Sequence, residues 1–172
     1  MKQKWIYSIK IMSVTFGLAS ISSLSLAAMQ DLHFSHKDWE IACDNTGTCR
    51  AAGYQSDQDI DQPVSVLLER AAGANSSIKA QVQILPLAAA TPTRQLQLQI
   101  ASTPYGVIGL NREGIGQLST DQTRALLKAV QGTAPVVFKN TQSRWNLSTS
   151  GASAVLLKMD EFQRRLSTPS AL

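Results

Sequence analysis

A chain of 172 residues with 44% hydrophobic and 16% charged positions is long enough for a globular domain with its own core, and its formal charge of +4 looks basic. Three of the basic residues sit in the first ten positions, and past residue 28 the balance is 13 basic against 12 acidic. No Lys/Arg cluster with interleaved aromatics remains, and Arg164-Arg165 reads as a solvated helix end, so composition speaks against nucleic acid as a partner.

The chain opens with Lys2, Lys4 and Lys10, followed by an uncharged apolar or small stretch from Ile11 to Leu26. Ser25-Leu26-Ala27 or Leu26-Ala27-Ala28 then offers small residues to a signal peptidase. Residues 1–28 are expected to be a secretory signal peptide and residues 29–172 a single exported domain. A transmembrane anchor needs about 20 predominantly apolar residues. This segment is shorter and carries six serines and one threonine between Ser8 and Ser25. A lipid anchor would need a cysteine after the cleavage point, where Ala28-Met29-Gln30 stands. The expected location is the bacterial periplasm, with no membrane span after cleavage.

Next comes "CDNTGTC", residues 43 to 49, which holds both cysteines of the chain. In an oxidising compartment such a pair reads as a disulfide. Trp39 to Ala42 before it and Arg50 to Tyr54 after it have strand character, and Asp44-Asn45-Thr46-Gly47 has turn chemistry. Cys43 and Cys49 are therefore expected to staple the neck of a hairpin, worth roughly 2 to 2.5 kcal/mol for so short a loop. A redox pair would prefer Cys-x-x-Cys at a helix start. A zinc site would recruit His33 and His36, but His-x2-His-x6-Cys-x5-Cys does not fit the usual ligand spacing. "DQDID" sets Asp57, Asp59 and Asp61 like the start of a calcium loop, yet Gln62 stands where that motif wants Gly and Leu68 where it wants Glu. The trio reads as a solvated loop.

Val64 to Arg70 makes a strand. In "IKAQVQILPL", Val82 and Ile84 alternate with Gln81 and Gln83. In "RQLQLQI", Leu96, Leu98 and Ile100 alternate with Gln95, Gln97 and Gln99, giving each segment one buried and one wet face. The connector "AAATPT" is short enough to join these two as a hairpin. After "YGVIGLNREGIG" the period changes. Ser119 with Gln122 resembles a capping box, Leu126, Leu127 and Val130 supply an apolar stripe, and Gly132 ends that helix. Val136 to Phe138 and the alternation of Trp145 with Leu147 give a strand pair. Ser150 can cap a second helix, with Ala154, Leu157 and Phe162 toward one side. The fold class is α+β: an antiparallel sheet built from a disulfide-stapled N-terminal hairpin and a meander, then two helices with an intervening strand pair.

No residue is expected to be catalytic. Both histidines lie near the start of the mature chain, no Gly-x-Ser-x-Gly or Gly-rich phosphate loop occurs, and Asp160-Glu161 project about 100° apart on a helix. No cofactor is implied. Trp39, Tyr54, Tyr105 and Trp145 are candidate platforms for stacking a ligand, although aromatics in a domain of this size more often belong to the core.

"DWEIACDNTGTCRAAGY", "VSVLLERAAG", "LSTDQTRALLKAV" and "WNLSTSGASAVLLKMDEFQRR" resemble the exported bacterial proteins of domain of unknown function family 1176. "VVFKN" and "LSTSGASAVL" are similar to segments of the invasion-associated locus B family. The first resemblance implies a periplasmic protein and brings no established activity with it. Relatives of that kind continue beyond "KMDEFQRR", which implies either a truncated product or a short family member; a truncated chain is expected to expose an apolar patch at Val155, Leu156 or Met159. The functional expectation is a non-catalytic interaction or envelope-associated protein with a periplasmic partner. A binding module for a small ligand or cell-wall glycan is the alternative, and a metal-binding or thiol-redox protein the second.

Overall fold

The computed structural model describes residues 32–56, 63–73, 75–85 and 94–164. In chain order its elements begin with β1 (Leu32–His36), β2 (Trp39–Cys43), β3 (Cys49–Tyr54), β4 (Val64–Arg70), β5 (Lys79–Ile84), β6 (Gln95–Ile100) and β7 (Thr103–Gly109). They continue with β8 (Ile115–Gln117), α1 (Thr120–Gln131), β9 (Val136–Lys139), β10 (Arg144–Leu147) and α2 (Ala152–Arg164). The architecture is α+β, as expected, but the strands divide between two antiparallel sheets. The larger has the order β1-β2-β3-β4-β5-β8 and the smaller β10-β9-β6-β7.

Alternation builds both sheets. β2 buries Trp39, Ile41 and Cys43, β3 buries Cys49, Ala51 and Gly53, and β4 buries Val64, Val66, Leu68 and Arg70. With the buried residues of β5, β6, β9 and β10 and the inner sides of both helices, they form one hydrophobic core. The hairpin expected through residues 88–93, which lie outside the described residues, is corrected: β5 pairs with β4 and β8, and β6 pairs with β7 and β9. Each strand finds neighbours on both edges, and the apolar sides of the two meet within the core.

α1 begins as its sequence dictates. The Ser119 side chain accepts from Gln122 N, the Gln122 side chain accepts from Ser119 N, and Leu126, Ala129 and Val130 are buried. α2 departs from expectation. Its buried face is Ala152, Val155, Leu156, Met159, Asp160 and Gln163, while Leu157 is exposed, Ala154 intermediate and Phe162 half-buried. The expected exposed patch is likewise corrected, because Val155, Leu156 and Met159 are fully buried against the sheet. The chain turns into α2 through Ser148, whose Oγ accepts from Ser150 N, and through Gly151 at φ 98°. A Cβ at Gly151 would lie 1.9 Å from the His36 carbonyl oxygen, so the approach of this turn to the β1–β2 turn requires glycine.

That approach forms a seam between the two sheets. Trp39 Nε1 donates to the Ser148 carbonyl at 2.8 Å, Ser148 Oγ donates to Asp38 Oδ2 at 2.5 Å, and Ser148 N donates to the Tyr54 carbonyl at 2.9 Å. Beside it, Gln55 and Leu147 form an isolated antiparallel bridge. Burying an indole would cost stability if its N–H found no acceptor, and the Ser148 carbonyl removes that cost.

Candidate functional site: the outer face of the six-stranded sheet

Register places the side chains on the far side of the larger sheet in three rows. The first runs His33, Ala42, Arg50, Glu69, Lys79 across β1 to β5. The second runs Ser35, Glu40, Ala52, Leu67, Gln81, Gln117 across all six strands, and the third runs Tyr54, Ser65, Gln83, Ile115. All of these residues are exposed or half-buried, and among the described residues no helix covers them. The helices contribute their apolar sides to the core on the opposite face.

Polar bonds order this surface. Arg50 Nε donates to Glu69 Oε2 at 2.8 Å, and its Nη1 reaches Asp44 Oδ2 at 3.2 Å. The Arg50 guanidinium is raised above its ordinary pKa, chiefly by Asp44. Asp44 organises the stapled turn, accepting from Thr46 N at 3.0 Å, Thr46 Oγ1 at 2.5 Å and Thr48 N at 3.1 Å. Its carboxyl is held below the ordinary value, first by the Thr46 hydroxyl. The Tyr54 hydroxyl donates to Glu40 Oε1, and that bond, with partial burial and the nearby charge, pushes the phenol pKa up to about 12. Gln117 Nε2 donates to Gln81 Oε1 at 2.8 Å. Leu67, Glu69, Lys79, Gln81 and Gln117 border a shallow depression of about 310 Å³.

The four candidate stacking residues separate by depth. Trp39 and Trp145 are each 1% exposed and present no ring face to a ligand, whereas Tyr54 at 43% and Tyr105 at 39% remain at the surface. Tyr54 belongs to the third row, and Tyr105 lies on β7 in the smaller sheet. The six residues of the second row, not an aromatic platform, define the centre of the open face. Register is the signal that finds them, and it is set by pairings between distant strands.

The cysteines form the expected disulfide, Cys43 to Cys49, between residues directly opposite in the β2–β3 ladder. They are 2% and 0% exposed, so the bond faces the core and not the site. His33 lies on the outer face opposite Ala42, while His36 lies on the inner face opposite Trp39 and stacks with Phe34. With the sulfurs joined and the imidazoles on opposite faces of β1, the two histidines and two cysteines do not assemble as a ligand set. Asp57, Asp59 and Asp61 lie outside the described residues.

Sequence reasoning missed a buried polar cluster behind the staple. Arg70, the ladder partner of Cys49, is 2% exposed and donates from Nη2 to Asp160 Oδ1 at 2.6 Å. Gln163 Nε2 donates to the Gly47 carbonyl at 2.6 Å and the Arg70 carbonyl at 2.9 Å, while its Oε1 accepts from Arg70 Nε. The end of α2 is thereby bonded to both the stapled turn and β4. A buried cation and carboxylate persist only with such partners.

These features define a class: a two-sheet α+β protein with a stapled hairpin, closed on one side by two helices and open on the face of its larger sheet. Residues 33–172 match the family described as "Protein of unknown function (DUF1176)", and the chain belongs to that family. Among solved structures, the crystal structure of invasion associated protein B from Bartonella henselae is similar, with a TM-score of 0.47 and 16% identity over 77% of this chain and 99% of that one. No curated protein matches the chain.

Proposed function

We propose that the protein is a non-catalytic component of the bacterial periplasm that acts by holding an envelope partner on the outer face of its six-stranded sheet. The observation that carries this reading is the division of the larger sheet: one face is closed by the core and both helices, and the other presents three ordered rows of mostly polar or small side chains, interrupted by Leu67, Tyr54 and Ile115. The buried disulfide and the basic-apolar opening segment support export, since such bonds persist in oxidising compartments.

A photocrosslinker placed at Ala52, in the middle of the second row, should give one defined adduct in living cells. The same group at Glu161, exposed on α2, should not. Adducts of the same pattern from both positions, or from neither, would remove the assignment of the face. Intact mass before and after reduction tests export: a chain beginning near Ala28 or Met29 and lighter by two hydrogens is expected, and retained leader or free thiols would overturn it.

The depression beside Leu67 favours a second reading, a module for a small ligand or glycan, which uses the same face.

A further inference from the structure

The depression has a chemistry that narrows its occupant. Glu69 stands between Arg50 on one side and Lys79 on the other in the first row, and Arg50 takes its Oε2 at 2.8 Å. Lys79 is exposed and makes no ion pair among the described residues, so its ammonium remains available at the rim. Across the depression, Gln117 Nε2 donates to the Gln81 carbonyl oxygen and occupies one of its two acceptor positions. The Gln81 amide nitrogen and the Gln117 carbonyl oxygen keep a donor and an acceptor without partners among the described residues. Glu69 retains its second oxygen as an acceptor. Leu67, half-buried between Ala52 and Gln81, supplies an apolar floor.

We propose that this depression binds an acidic sugar: a ring whose hydroxyls meet Gln81, Gln117 and Glu69, whose carboxylate meets Lys79, and whose C–H face lies on Leu67. The inference rests on the outer face being the binding surface. A volume of about 310 Å³ is at the small end of ligand sites, which run from about 300 to 1,000 Å³, and suits one ring better than a longer segment. A neutral sugar would forgo the charge-assisted contact with Lys79, and a bare carboxylate would leave the amides and the floor unused. Both should therefore bind more weakly than a ligand combining the two.

The test is a heteronuclear NMR titration of the purified protein with glucuronate, glucose and acetate as probes. Glucuronate should move the side-chain amide signals of Gln81 and Gln117 in a saturable manner. Lys79→Gln should weaken it by about tenfold, and Gln117→Ala by a similar factor, because each removes one polar contact of the ring. Lys79 and Gln117 are both exposed, so neither change threatens the fold. A glucuronate-containing disaccharide separates the sources: tighter binding than the free acid points to a glycan, weaker binding to the free sugar, and each supports the site. Equal binding of glucose or acetate, shifts mapping elsewhere, or an unaltered response in Lys79→Gln would overturn it. If glucuronate fails while the Ala52 crosslink still captures its partner, the sugar site falls and the wider reading of the face stands.

Discussion

Gly53 lies directly beneath the indole of Trp39: a Cβ built on this glycine would stand 2.3 Å from Cζ2 of the ring. The two residues are opposite one another in the β2–β3 ladder, so the ring folds over its neighbour where no side chain exists. Gly53→Ala should therefore destabilise by about 1 to 3 kcal/mol through overpacking. It should also red-shift the tryptophan emission as the indole is pushed outward. Urea unfolding with a midpoint equal to that of the parent would show that the ring has room to move.

Removing the staple should cost less than removing its surroundings. Cys43→Ala with Cys49→Ala is expected to lower stability by roughly 2 to 2.5 kcal/mol, with a similar loss when the parent is reduced. Chemical denaturation with and without a thiol reductant measures both. A much larger loss in the double variant than in the reduced parent would place the effect in packing of the sulfurs.

The Arg70–Asp160 pair behaves differently when broken and when replaced. Asp160→Ala alone leaves a guanidinium buried at 2% exposure and should cost about 3 to 5 kcal/mol. Arg70→Met combined with Asp160→Leu should recover much of that loss, since no charge is then stranded. A double-mutant cycle reads the difference. Equal losses in single and double variants would assign the role of Arg70 to its bonds with Gln163.

Tyr54 offers a spectroscopic test of the outer face. Its phenol pKa stands at about 12 against an ordinary 10.0, with the Glu40 hydrogen bond as the first cause. Because the folded pKa is the higher, the stabilising contribution is complete below pH 10 and disappears as pH rises through about 12. Ultraviolet titration of the phenolate band should show one tyrosine ionising late, and Glu40→Gln should return it toward 10. A titration indifferent to that change would break the pairing.

Local pattern made much of the fold legible. The alternation of Val64, Val66 and Leu68 marks β4 to the residue, Ser119 and Gln122 mark the start of α1, and "CDNTGTC" marks the stapled turn. What was hidden depends on contacts between distant segments. β1 reads as polar because only Leu32 and Phe34 lean on the core, and its strand character comes from pairing with β2. The α2 face was displaced because Asp160 and Gln163 look solvated until Arg70 arrives from β4 to meet them. Trp39 could be taken for a surface platform because the glycine beneath it and the Ser148 carbonyl that satisfies it are invisible to its neighbours in sequence. The depression depends on the same kind of information, since Gln81 and Gln117 become adjacent only when β8 returns to pair with β5.

The seam at Ser148 also sets an order of events. Trp39 and its acceptor are 109 positions apart, and Asp38 and Ser148 Oγ are 110 apart. During synthesis, the hairpin that emerges first has no lid for its largest side chain until β10 and the turn into α2 have been made. Closing a loop of that length is entropically slow. The front of this chain thus stays unfinished until its last third exists to lock it shut.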